Sequence, residues 1–209
     1  MLKLYDYFRS SAAFRVRIAL NLKGLYYTKI PISLVENQQS EKSYLEQNPL
    51  GLVPSLVTPD NTNIHQSLAI IEYLELTYPN TLKLIPSDIM ELVYVKSIAY
   101  DIAMDIHPLN NLRILKYLQG PLRANEEEKN IWYQHWIREG FTGLEKFIVS
   151  SGRSHNFCLG DEPTLADVVL IPQIYNAKRF KCNLDNYPTL SGIYEKCLQL
   201  EAFKTAFPE

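Results

Sequence analysis

From Leu2 to Phe8 apolar and polar residues alternate, the period-two pattern of a strand with one covered face. From Val16 the period lengthens: Val16, Ala19, Leu20 and Lys23 recur at helical spacing until Gly24 supplies a C-terminal stop. Tyr26 to Leu34 is β-branched and aromatic, so a second strand follows and the opening is a β-α-β unit. Residues 36–47 are polar and read as a loop and a short helix ending before Asn48-Pro49. Pro54 heads the next apolar run. Proline donates no ladder bond, so it belongs at that strand's first residue, where a cis Val53-Pro54 bond fits. Pro59-Asp60-Asn61 turns the chain into a short strand over Thr62 to Ile64, and Ser67 reads as the N-cap of a helix through Glu75.

Beyond Thr77 the strand signal disappears, with Pro79 and Pro86 marking the change. Residues 88–118 and 125–151 predict two long helices, broken at Gly120-Pro121. Thr164 followed by Asp167 predicts a capping box and a helix to about Tyr175, and Tyr187-Pro188-Thr189 opens a helix to about Glu201. The pattern is therefore α/β plus all-α. A thioredoxin-like domain with a mixed four-stranded sheet is expected over 1–80, a linker over 81–87, and an all-helical domain over 88–209.

Composition adds little to this picture. The 209 residues are 46% hydrophobic and carry 21 Lys+Arg against 23 Asp+Glu, a balance that gives no bulk-charge reason to expect a nucleic-acid or membrane partner. Charge interrupts Met1 to Asp6 as it does not in a signal peptide, and no run approaches the roughly 18 apolar residues of a membrane span. Cys158, Cys182 and Cys197 are far apart and form no C-x-x-C pair, so they read as small buried hydrophobes in a cytoplasmic protein without a metal site.

The chemistry gathers at Arg9-Ser10-Ser11-Ala12, where the first strand turns into the first helix. A helix N-terminus leaves backbone N–H groups unpaired and carries partial positive charge, so an anion or thiolate placed there is stabilised. Ser10 or Ser11 is the natural N-cap, and capping alone would also explain the pair. His65-Gln66-Ser67 decorates a second helix start in the same way. His107 before Pro108 and Arg179 beside Phe180 each have a structural and a functional reading, whereas Arg15 and Arg17 read as structural.

These segments resemble the glutathione transferases, and among them the zeta class, whose founding activity is maleylacetoacetate isomerase. The resemblance covers nearly the whole chain. It is carried by Tyr7-Phe8-Arg9-Ser10-Ser11 with Arg15-Val16-Arg17, Asn48-Pro49, Val53-Pro54, His65 to Leu74, His107 to Leu112, Gly160 to Asp167, and Asn176 to Phe180. It implies a glutathione site formed by Ser10, Ser11, Ala12, Gln39, Val53, Gln66, Ser67 and Asn110, the last standing where the family often has Gln. Val53 would pair by its main chain with the cysteinyl unit, and Gln66 and Ser67 would take the γ-glutamyl carboxylate. It further implies catalysis by the glutathione thiolate, supported by Ser10 and Ser11, on a dicarboxylate held by Arg9 and Arg179, with His107 and Asn111 beside it. Many zeta proteins have cysteine after the serine pair; Ala12 stands here, so any thiol in the reaction belongs to glutathione. The expected activity is glutathione-dependent cis–trans isomerisation of maleylacetoacetate by a homodimer. Maleylpyruvate isomerisation, turnover of α-halo acids and a non-catalytic binding role are the alternatives.

Overall fold

A computed structural model describes residues 1–208 as two units, one formed by 1–84 with 199–208, the other by Ile85–Leu198. The first unit holds strands β1 (Leu2–Asp6), β2 (Tyr27–Pro31), β3 (Ser55–Val57) and β4 (Asn63–His65) in one sheet of order β2-β1-β3-β4. Its helices are α1 (Ser11–Leu22), the short α2 (Lys42–Leu45) and α3 (Ser67–Thr77). β1 runs parallel to β2 and antiparallel to β3, and β3 antiparallel to β4, which gives the expected mixed sheet. Leu4 and Leu56 are register partners and fully buried, as are Ile18 of α1 and Ile70, Ile71 and Leu74 of α3, so the helical and strand periodicities each bury one face.

The expected second domain runs to the last residue, whereas residues 199–208 group with the first unit. A short helix, α9 (Glu201–Lys204), packs on α1, and Phe207 meets Phe14 edge-on at 5.5 Å. Arg17 secures this return. It is 2% exposed, and it donates from Nε to the Ala206 carbonyl at 2.9 Å, from Nη1 to Asp6 at 2.6 Å and from Nη2 to the Phe8 carbonyl at 2.9 Å.

The second unit is helical throughout: α4 (Ile89–Tyr100), α5 (Leu112–Gln119), α6 (Glu126–Ser151), α7 (Leu165–Arg179) and α8 (Pro188–Cys197). α7 is buried on nearly all sides and forms its centre. The Asp167 carboxylate fastens the start of α7 by accepting from Thr164 N–H and the Cys158 N–H, both at 2.8 Å, and from the Thr164 hydroxyl at 3.0 Å. The single helix expected over 88–118 is broken. α4 passes into a π-helical turn at Asp101–Ile106, then a 3-10 turn at Pro108–Asn110, before α5 starts. No described helix is long and apolar enough to cross a membrane.

Burial pushes the Asp6 carboxyl above its ordinary range despite Arg17, showing how much desolvation opposes this pair. Replacing Asp6 by Ala strands a buried guanidinium, so Asp6→Ala is expected to lower the unfolding free energy in urea by about 3–5 kcal/mol. A loss below about 1 kcal/mol would mean that the two carbonyls satisfy Arg17 without the acid.

Candidate functional site

Strand register assembles the site in the first unit. Tyr5 lies opposite Ser55, and Ser55 opposite His65, so these residues form one level across β1, β3 and β4. β1 ends one residue past this level, β4 ends at it and β3 begins there. The turn into α1, the approach to β3 and the start of α3 therefore leave from one edge of the sheet, which gathers Ser10, Ser11, Val53, Gln66 and Ser67 from distant sequence positions.

At the first of these corners Ser10 is the N-cap. Its backbone is extended, and its Oγ accepts from Ala13 N–H at 3.2 Å. The hydroxyl keeps its proton to donate. Ser11, 5% exposed, is the first helical residue, and Ala12 follows half-buried. α1 has no acidic residue in its first turn, so no side chain there offsets the positive end of the dipole. Arg9 is exposed, with its guanidinium over the Phe8 ring at 4.9 Å and no carboxylate partner among the described residues.

At the second corner the Val53-Pro54 bond is cis, as expected. Two donors converge just before it. Tyr44 Oη and Asn48 Nδ2 donate to the Leu52 carbonyl at 2.5 and 2.7 Å, and the Asn48 Oδ1 accepts from Leu50 N–H at 3.2 Å. Buried Tyr44 and Asn48 thus fix the main chain that presents Val53, a role absent from the sequence reading. Gln39 Nε2 donates to Asn37 Oδ1 at 2.7 Å, and its own Oε1 is buried without a partner among the described residues. The Gln39 carbonyl would stand 3.0 Å from a Cβ at Gly51, whose φ is +61, so only glycine fits that approach comfortably.

At the third corner the sequence expectation needs correction. Ser67 is the first residue of α3, and the N-cap is Gln66, whose φ of +73 lies where a side chain is rarely tolerated. Ser67 Oγ accepts from Arg15 Nη1 at 3.4 Å, and both residues are buried.

In the second unit, His107 follows the π-helical turn directly. Asn111 caps α5 by accepting Arg113 N–H on its Oδ1 at 3.1 Å, which turns its Nδ2 toward His107 Nε2 at 3.4 Å. Asn110 is 8% exposed; its Nδ2 donates to the Tyr133 carbonyl at 3.2 Å, and its Oδ1 is buried without a partner among the described residues. Arg179 ends α7, exposed, over the Phe180 ring at 5.1 Å and without a carboxylate partner among the described residues. Phe180 in turn stacks on Tyr133 at 3.8 Å.

Known families match both units. Residues 9–77 match the glutathione S-transferase N-terminal domain and residues 111–205 the glutathione S-transferase C-terminal domain. The chain belongs to the glutathione S-transferase family. It is 47% identical to a probable maleylacetoacetate isomerase of Vibrio cholerae over 99% of its own length and 95% of that protein's. Among solved structures, it is 38% identical, with a TM-score of 0.95, to a bacterial maleylpyruvate isomerase of the zeta class, covering 99% of this chain and 96% of that one. A maleylacetoacetate isomerase from Methylobacterium extorquens AM1, solved with malonate and glutathione bound, gives a TM-score of 0.95 at 34% identity, covering 99% and 96% of the two chains.

Elsewhere in the first unit of this transferase a cavity of about 740 Å³ opens against Tyr7, Phe8, Lys29, Ser33 and Phe207; none of the predicted site residues lines it. Among the described residues no group of His, Cys, Asp and Glu side chains is arranged to hold a metal ion. The placement of His107 depends on Gly140, since a Cβ at that position of α6 would stand 2.4 Å from Ile106 Cδ1 and 2.5 Å from its Cγ1. Ile106 is 3% exposed and ends the π-helical turn. Gly140→Ala is therefore expected to cost about 1–3 kcal/mol by overpacking in urea unfolding and to shift the His107 imidazole resonances. Unchanged stability and resonances would show that Ile106 yields without moving the turn.

Proposed function

We propose that this transferase is a glutathione-dependent cis–trans isomerase that converts maleylacetoacetate to fumarylacetoacetate. One observation carries the reading: the strand register brings an α1 N-terminus bearing two hydroxyls and no acid, the Val53 main chain and the α3 N-terminus to one sheet edge. That edge suits a short peptide with an acidic end and a thiol. The γ-glutamyl carboxylate binds at Gln66 and Ser67, the cysteinyl backbone pairs with Val53, and the sulfur lies at the first turn of α1. There Ser10, Ser11 and the backbone amides at the start of α1 favour the thiolate over the thiol, whose free pKa is about 8.5.

The thiolate adds to the cis carbon–carbon double bond at the carbon β to the ketone carbonyl, and the π electrons move through the α carbon onto the ketone oxygen as an enolate. The former double bond, now single, rotates. Collapse of the enolate re-forms the bond as trans and expels the thiolate, so glutathione is unconsumed. Arg9 and Arg179 are assigned to the substrate carboxylates, for which a guanidinium offers bidentate recognition. Both lack carboxylate partners of their own among the described residues, which supports that assignment. His107, with Asn111 beside it, is assigned to the developing enolate charge. Ala12 leaves the reaction without a protein thiol at the turn.

A homodimer fits the exposed apolar face of α4, where Ile89, Met90 and Val93 are 74%, 62% and 50% exposed. A cytoplasmic setting fits the free cysteines Cys158, Cys182 and Cys197, whose thiols burial pushes above their ordinary pKa. The 40% identity to a maleylpyruvate isomerase of Ralstonia over 99% of the chain favours that shorter diacid as the second reading.

With maleylacetone as the model substrate, catalytic glutathione should support many turnovers with the thiol titre unchanged. Ser10→Ala or Ser11→Ala, whichever removes the hydroxyl facing sulfur, should lower kcat/KM about 10²-fold. Stoichiometric thiol loss would mark a conjugating transferase, and a higher kcat/KM for maleylpyruvate would replace the substrate.

A further inference from the structure

α1 buries both arginines of Arg15-Val16-Arg17, and the first unit satisfies them in opposite ways. Arg17 has an acid and two carbonyls. Arg15, equally 2% exposed, makes one long contact, Nη1 to Ser67 Oγ at 3.4 Å. Its Nε and Nη2 are buried with no acceptor among the described residues. Burial pushes its pKa down to about 10 and no acidic neighbour raises it again, so the group remains a cation at neutral pH.

A buried charge without a counter-ion is expensive, and buried donors in folded proteins are ordinarily paired. A purely structural reading of Arg15 accounts for its bond to Ser67 and leaves its Nε and Nη2 unexplained. What Arg15 does have is a position beneath the start of α3. That helix carries no acid in its first turn, and the Ser67 hydroxyl, once it accepts from Arg15, has its proton left to donate outward. Cation, hydroxyl and helix amides all favour negative charge at one place.

We infer that Arg15 is a positioning residue for the γ-glutamyl carboxylate of glutathione, acting through Ser67: its guanidinium has no acid of its own because the ligand brings one. The inference rests on the glutathione reading above. Donation by Arg15 orients and polarises the Ser67 hydroxyl toward the carboxylate, and the buried positive charge sets the sign of the ligand group accepted there.

Calorimetric titration with glutathione and with 4-aminobutyryl-cysteinylglycine, which lacks only the γ-glutamyl α-carboxylate, tests it. Wild type should prefer glutathione by about 10- to 150-fold, the range of a charge-assisted hydrogen bond. In Arg15→Met that preference should fall to within about threefold while affinity for the decarboxylated peptide stays near wild type; Arg15→Lys should recover part of it. Ser67→Ala, with Arg15 intact, should lose the preference too. Should Arg15→Met not fold, Arg15→Gln, which keeps a donor toward Ser67 without the charge, carries the same comparison. Equal weakening of both peptides in the Arg15 variants would make Arg15 structural and overturn the inference, as would a Ser67→Ala protein that still prefers glutathione. Wild-type protein that binds neither peptide would instead overturn the glutathione reading itself.

Discussion

Arg17 is the fixed point of the first unit. Its guanidinium ties the end of β1 at Asp6, the turn into α1 at Phe8 and the returning C-terminal segment at Ala206. The turn it holds is the one that delivers Ser10 and Ser11, and a helix N-terminus acts on a ligand only if its amides point to one place. Neither a loose Phe8 carbonyl nor a frayed first turn would do this. Desolvation makes the Asp6–Arg17 pair a poor source of stability, so its value lies in geometry: a planar cation with five donors can bind three chain segments in fixed directions at once.

The sheet does the rest of the gathering. Because β4 lies parallel to β1 with β3 antiparallel between them, two helices start at the same edge while β3 enters from it. In the proposed binding mode, charge stabilisation and peptide recognition then fall to different corners: α1 to the sulfur, the Leu52-Val53 main chain to backbone pairing, and α3 to a carboxylate. Tyr44 and Asn48 serve the middle corner as Arg17 serves the first, by holding a carbonyl next to the residue that works.

Much of this could be read from the chain before any coordinates. Period-two and helical spacing located β1, α1 and α3, Val53-Pro54 marked the entry to β3, and Thr164 with Asp167 marked the start of α7, because each is a local rule with a local cause. Other features depend on tertiary contacts. The π-helical turn at Asp101–Ile106 hides inside a continuous helical pattern, since one wider turn barely changes the hydrophobic period. It is Gly140, on another helix, that leaves space for Ile106. Ser67 looked like a cap because serine favours that position, yet Gln66 takes it through a backbone angle that propensity argues against. Asn110 is a polar residue in a helical segment by sequence and an inward donor to Tyr133 in space.

Arginine gives the sharpest instance, because sequence supplies the charge but not the counter-charge. The chain is nearly neutral overall, with a formal net charge of −2, so an excess of cations cannot explain why some go unpaired. Arg9 and Arg179 are exposed, where water screens a lone guanidinium at little cost, so their lack of a carboxylate partner is the weaker support. Buried charge is a stronger witness. Asp6, Lys23 and Asp167 each have close partners within the protein, as desolvated groups must. Arg15 breaks that rule inside the same core, a few residues from Arg17, which obeys it. A fold that can place an acid against one arginine of a helix and leaves the next one without, directly beneath a helix start, is built for an anion that arrives from outside.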